Sequence, residues 1–367
     1  MIAILRSPRL RRVLVAAALF ATGAVYGGAA VRGGLFPYPA LQSSYHRLRL
    51  AAPERRADLS LITLASPAEA QTRRRELVRL IWGKDDLPSR LPDREETGIG
   101  DPRFDGLDGL ARIDRLSVAM DFGIDSRILH FVPARPNGAL VLVHDGHADS
   151  AGLRNVVAQL VARGYAVAAF TMPLFGDNAR PTVRAGQLGR IVLDNHNKLR
   201  LVSPPAGLAE QYLLEPVPVV LNRLAPHYRS VAMLGLSGGG WTTTLAAALD
   251  PRIARNFPIA GSRPPDIAPA GAWDDFEQSD PALYTHFSYL DLYLLGAAGA
   301  GRRELQILNE YDSCCFAGRA AESYRAAVAA RARRLGGRFD LVIDSSQDGH
   351  LISDWAMARI LAALEER

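Results

Sequence analysis

Between Ser230 and Leu249 the chain reads SVAMLGLSGGGWTTTLAAAL. Val231 to Leu234 is an apolar run of the length of a buried strand, and after the glycines Trp241 and the alanines read as a helix. A strand that turns into a helix over Gly235, Leu236, Ser237, Gly238, Gly239 and Gly240 leaves little room beside the turn. Residues two places either side of Ser237 must therefore be tiny, and Gly235 and Gly239 are. A serine at such a turn sits on strained backbone, with its hydroxyl above the sheet edge at the positive end of the following helix. The plainer reading makes Ser237 an N-cap in a glycine-rich turn.

The flanking pattern says what surrounds this unit. Ile113 to Met120 and Arg127 to Val132 read as two strands joined near Gly123, and Ala139 to Val143 as a third, wholly apolar one. A helix from about Ala151 to Arg163 ends at Gly164, and Tyr165 to Phe170 is the next strand. Beyond a proline-marked excursion from Met172 to Pro226, a helix is expected from about Gly207 to Leu224. Further strands are expected at Ile253 to Ala260, Leu305 to Leu308 and Phe339 to Ile343, with helices over about 318–335 and 351–365. Strands alternating with helices predict an α/β fold: a mostly parallel sheet covered by helices on both faces. Residues 262–300 read as an insertion with Trp273, Phe276, Tyr284, Phe287, Tyr289 and Tyr293. These aromatics either wall a substrate cleft or pack a lid helix on the core.

A serine hydroxyl needs an imidazole to take its proton, and a carboxylate to hold that imidazole in the right tautomer. In open α/β sheets such groups come from loops at the carboxyl ends of strands. Asp312 follows a late strand in LQILNEYDSCC, and His350 follows the last in FDLVIDSSQDGHLIS. Glu310 and Asp344 are the replacements for Asp312. The plainer readings are a turn carboxylate for Asp312 and a helix-capping residue for His350.

The chain has 367 residues, 48% of them hydrophobic, enough for one large core. Its formal charge is +5 with a pI near 9.4, but the arginines are scattered and no basic stripe is interleaved with aromatics, so nucleic-acid binding is not expected. Cys314 and Cys315 are adjacent, a poor arrangement for an ordinary disulfide, and read as reduced packing residues. At the N-terminus Arg6, Arg9, Arg11 and Arg12 precede an uncharged run from Val13 to Val31. As a helix that run nearly spans a bilayer core, and the basic cluster stays cytoplasmic. It is expected to be an uncleaved transmembrane anchor facing the periplasm, in preference to a signal cleaved near Gly28 to Ala30. The division is then residues 1–32 as anchor or signal, 33–105 as an extension or collar with one helix over 68–82, and 106–367 as the catalytic domain.

From about Arg112 onward the chain resembles the α/β-hydrolase superfamily, specifically bacterial serine esterase-like members. The resemblance rests on GLSGG at Gly235 to Gly239, VHDGH at Val143 to His147, Asp312 after a strand, and DGH at Asp348 to His350. It implies Ser237 as nucleophile, His350 as general base and then acid, Asp312 as the orienting acid, and an acyl-enzyme intermediate hydrolysed by water. The oxyanion needs fixed donors: the backbone amide of Gly238, and one from the loop after the third strand. The choice there is His147, then Gly146. The expected activity is hydrolysis of a small-molecule or acylated carboxylic ester, with no cofactor and no metal implied. A serine peptidase using the same triad is the nearest alternative. A metal-dependent hydrolase, motivated by His144, Asp145, His147 and Asp149, and a noncatalytic binding protein of the same fold are the others.

Overall fold

In a computed structural model of the chain, the structure describes residues 8–33, 55–147, 153–268 and 275–366. Asp149 and Trp273, and the first residues of the helix expected from Ala151, lie outside the described residues. The chain divides into two units, residues 1–53 and 54–367. The first contains helix α1 (Pro8–Gly33), with Val13, Val15, Leu19, Phe20 and Val25 exposed. Among the described residues no helix is long and apolar enough to cross a membrane.

The second unit opens with α2 (Pro67–Trp82), which starts where Ser66 accepts the backbone N–H of Glu69 and stops at Gly83 in the left-handed region, φ 66°. Leu77, Val78, Ile81 and Trp82 on one face of α2 join the core. The strands follow: β1 (Arg94–Glu96), β2 (Leu110–Ala119), β3 (Asp125–Pro133), β4 (Ala139–His144), β5 (Ala166–Phe170), the small pair β6 (Thr182–Arg184) and β7 (Arg190–Val192), β8 (Ser230–Leu236), β9 (Ile253–Ile259), β10 (Arg303–Asn309) and β11 (Arg338–Asp344). Nine of them form one sheet in the order β1-β2-β3-β5-β4-β8-β9-β10-β11, antiparallel through β3 and its pairing with β5, and parallel from β5 to β11. Residues 55–105 thus contribute a helix and an edge strand to the same unit as the rest.

The remaining longer helices are α3 (Arg154–Val161), α4 (Pro216–Leu224), α5 (Gly238–Leu249), α6 (Tyr289–Ala297), α7 (Glu322–Arg334) and α8 (Asp354–Glu365). Pro216 and Pro218 fall in the first turn of α4, where a missing N–H loses no helix bond. The central strands are buried on both faces, and their side chains alternate between two cores. Val141 and Val143 of β4, with Ala232 and Leu234 of β8, face the core that holds α2, α3, α6, α7 and α8. Leu140, Leu142, Val231 and Met233 face the other, which α4 closes. Every residue of α5 is buried, which is why alanines and threonines, rather than a polar stripe, make up its length.

Two sequence expectations are revised, and a choice left open between two others is decided. The helix expected over 207–224 is a four-residue turn at Gln211–Leu214 followed by α4. Of the two readings of the insertion's aromatics, the core-packing one holds for Phe276, Phe287, Tyr289 and Tyr293, and the insertion contributes α6, buried along its whole length. Cys314 and Cys315, expected to be reduced, form a disulfide. The turn that lets both of their backbone amides reach Asp312 Oδ1, at 2.8 and 3.0 Å, also brings the two side chains to one side of the loop.

Candidate active site

Because β4, β8, β9, β10 and β11 run parallel in register, the loops that leave their carboxyl ends share one edge of the sheet. Ser237 stands between β8 and α5 with φ 58° and ψ −127°, a conformation that costs a non-glycine residue energy. Ser237 occupies the N-cap position of α5, but its side chain makes no capping hydrogen bond to the helix. The neighbours explain the glycines. A Cβ on Gly235 would lie 2.2 Å from the Gly239 carbonyl oxygen, and one on Gly239 would lie 2.1 Å from the His144 carbonyl oxygen.

Two strands along, Asp312 is fully buried and receives His350 Nδ1 at 3.0 Å on Oδ1 and 2.8 Å on Oδ2. With Asp312 accepting, Nδ1 carries the ring proton and Nε2 keeps its lone pair. Nε2 is buried and, among the described residues, makes no hydrogen bond to Ser237 or any other group. The structure thus brings Asp312 and His350 into contact, while Ser237 and His350 are not hydrogen-bonded. Helix α8 is capped by Ser353, not His350. The two replacements are committed elsewhere: Glu310 pairs with Arg319 at 3.1 Å, and Asp344 accepts the backbone N–H and hydroxyl of Ser346 and the hydroxyl of Ser353. Asn309, which the sequence did not single out, donates from Nδ2 to the carbonyls of Leu351 at 3.2 Å and Gly349 at 3.5 Å, and so holds the chain on both sides of His350.

The loop after β4 presses on the serine turn from the other side. Gly146 has φ 72°, and a Cβ there would lie 2.8 Å from the Leu236 carbonyl oxygen, 2.9 Å from the Gly239 nitrogen and 3.0 Å from the Gly238 nitrogen. The His147 ring lies against Gly238, where a Cβ would meet its Cε1 at 2.8 Å. The amides of Gly238 and Gly239 belong to the first turn of α5, whose N–H groups have no partner within the helix. Gly238 and His147 are therefore neighbours.

His144, Asp145 and His147 do not gather as one cluster. His144 is buried, stacks on Phe170 with ring centroids 5.8 Å apart, and accepts the Gly146 N–H on Nδ1. Burial, and then the neighbouring His147 and His196, push its imidazole down to about 3, so it stays neutral. His147 instead meets His196 and Glu277, two residues the sequence reading missed. His147 Nε2 lies 3.1 Å from His196 Nδ1, which lies 3.1 Å from Glu277 Oε1. Burial pushes the Glu277 carboxyl up, but the charge of His196 and hydrogen bonds from both imidazoles outweigh it and hold it at about 2. These residues come from three loops far apart in the chain, and no local motif signals them. Together these three could hold a metal ion.

Among the solved structures with this architecture are esterases. An acetyl xylan esterase from Paenibacillus sp. R4 superposes with a TM-score of 0.51 at 17% identity over 82% of this chain and 92% of that one. Acetyl xylan esterase 1 from Thermoanaerobacterium sp. JW/SL YS485 gives 0.52 at 16% identity, over 82% and 94%. A glucuronoyl esterase from Solibacter usitatus gives 0.54 at 14% identity, over 80% and 92%. Residues 54–367 share the fold of these structures, an α/β-hydrolase fold. No family model matches the sequence, and no curated protein matches it.

Proposed function

We propose that this protein is a serine hydrolase that cleaves carboxylic esters, with Ser237 as nucleophile, His350 as general base and then acid, and Asp312 as the group that orients and balances His350. The observation that carries the reading is the pairing of His350 Nδ1 with both oxygens of a fully buried Asp312, one loop from the end of the sheet that holds a positive-φ serine. In the first half-reaction Ser237 Oγ attacks the acyl carbon while His350 Nε2 takes its proton. The resulting oxyanion is held by the backbone N–H of Gly238 and that of His147, and it collapses as His350 gives the proton to the departing alcohol. Water, deprotonated by the same imidazole, then releases the acid. Each donor that bonds the oxyanion only in the transition state contributes roughly 3 kcal/mol. The three esterases of the same fold support an ester substrate over an amide.

We also assign the enzyme to the extracytoplasmic side of a bacterial inner membrane, carried there by residues 1–32. The arginines before Val13 and the exposed apolar residues of α1 support this reading. Fractionation that finds the full-length protein in the soluble cytoplasm ends it.

The activity is tested by labelling the protein with a fluorophosphonate and identifying the modified residue, alongside turnover of a short-chain p-nitrophenyl ester. Ser237 is expected to carry the label, and Ser237→Ala to abolish both signals without altering the fold. A label elsewhere, or turnover that persists in Ser237→Ala, overturns the assignment. Ester turnover that is lost to a chelator while Ser237 resists the fluorophosphonate would favour metal-dependent hydrolysis instead.

A further inference from the structure

We propose that His147, His196 and Glu277 form a binding site for a zinc-class divalent cation, which ties three loops together beside the serine turn. The spacing of the ligand atoms is the first ground. His147 Nε2 to His196 Nδ1 is 3.1 Å, His196 Nδ1 to Glu277 Oε1 is 3.1 Å, and His147 Nε2 to Glu277 Oε1 is 3.5 Å. Ligands bound to zinc at 2.0–2.1 Å in a tetrahedron stand about 3.3–3.4 Å apart, so the three atoms form one face of such a tetrahedron. A fourth side chain is at hand in Asp275, whose Oδ2 lies 3.6 Å from His147 Nε2.

The proton arrangement is the second ground. His196 Nε2 lies 3.1 Å from the Pro173 carbonyl oxygen, which can only accept, so Nε2 keeps its proton and Nδ1 is the atom that would give its lone pair to a metal. Nδ1 faces Glu277 Oε1 and His147 Nε2, so the three potential ligand atoms converge. A metal-bound histidine that gives its other N–H to a backbone carbonyl is the usual arrangement around such ions. Glu277 supplies the third ground: it is fully buried, and its Oε2 makes no hydrogen bond. Burying a carboxylate with an orphan oxygen is costly unless a cation compensates it.

Two imidazoles and a carboxylate suit zinc over magnesium or calcium. The ion would join the loop after β4, the turn at His196 that follows β7, and the insertion turn Phe276–Gln278. Its effect is positional. With His147 held by the metal, its ring stays against Gly238. The site stands on these distances whether or not Ser237 is the nucleophile.

The test is a titration of full-length protein, stripped of metal with a strong chelator, by Zn2+ in competition with a chromophoric indicator. One equivalent is expected to bind and to raise the unfolding temperature. Glu277→Gln and His196→Asn should each weaken binding by at least roughly tenfold, whereas His286→Ala, an exposed histidine elsewhere, should bind as the wild type does. Co2+ in place of Zn2+ should give the visible absorption of a four-coordinate ion in the wild type and lose it in Glu277→Gln. Failure of the wild type to bind one equivalent, or unchanged binding in both ligand variants, overturns the site. Fluorophosphonate labelling of the same samples reports separately on Ser237.

Discussion

Asp312 is asked to do two things with two oxygens. Oδ1 accepts backbone N–H groups from Cys314 and Cys315, and both oxygens face His350 Nδ1. In Asp312→Asn the amide oxygen will stay on the two backbone donors, because turning the NH2 toward them would set donor against donor. The NH2 then faces His350 Nδ1, which must accept, so the ring proton moves to Nε2, where the proton of Ser237 has to go. Ester turnover should fall by roughly 10³- to 10⁴-fold, with the unfolding temperature close to that of the wild type. Turnover within tenfold of the wild type would remove Asp312 from the machinery. Asn309 acts one step further out, through the chain it holds. Asn309→Ala should lower kcat more than it changes KM, because it loosens His350 without touching substrate.

At the level of the elements, what the sequence shows is what strict alternation and glycine placement encode. Apolar runs such as Leu140 to Val143 and Val231 to Leu234 announce strands buried on both faces, and the structure finds them there. The short strands β1, β6 and β7 carry no such run, since their residues are largely exposed, and they were missed. The lid helix within residues 262–300 could be given no bounds for the opposite reason: α6 is buried all round, so YLDLYLLGA has no polar face to betray a helical period. The site divides in the same way. Asp312 and His350 follow strands that can be seen, whereas His196 and Glu277 sit in irregular loops whose meeting depends on tertiary structure alone. The close crossing of β8 and α5 is the element the chain depends on most. In Gly235→Ala the new methyl would stand 2.2 Å from one backbone oxygen and 2.4 Å from the carbon that bears it, neither of which can swing away. The helix must shift off the strand, at a cost of about 3 kcal/mol or more. Urea unfolding should show that loss, and a midpoint equal to the wild type's would contradict the crossing described here.

For the whole molecule, the ionisable groups sealed in the core set a window of pH in which it is most stable. His130 is buried beside Tyr228. Burial, only partly opposed by Asp114, depresses its imidazole to about 4, and His144 is held lower still. Each is more basic in the unfolded chain, near 6.5, so the unfolded state gains protons first as the solution is acidified. The stability these two allow is complete above about pH 6.5 and drains away as pH falls toward 4 and below, on the order of 3 kcal/mol for His130. Glu304 acts from the other side. It is fully buried with no hydrogen bond to either oxygen, and burial raises its carboxyl well above the usual range despite Arg302 nearby. Its folded form therefore holds a proton that the unfolded chain releases near pH 4.5, and stability is lost progressively as pH rises from there. Glu304→Gln keeps the size and removes the ionisation, so it should be more stable than the wild type by a margin that widens from pH 5 to pH 9. His130→Gln should make the acid limb shallower, leaving the share of His144, without changing the alkaline one. Denaturant unfolding of the three proteins across that range separates the two limbs. A Glu304→Gln margin that stays constant with pH would mean that this carboxyl ionises as readily in the core as in water.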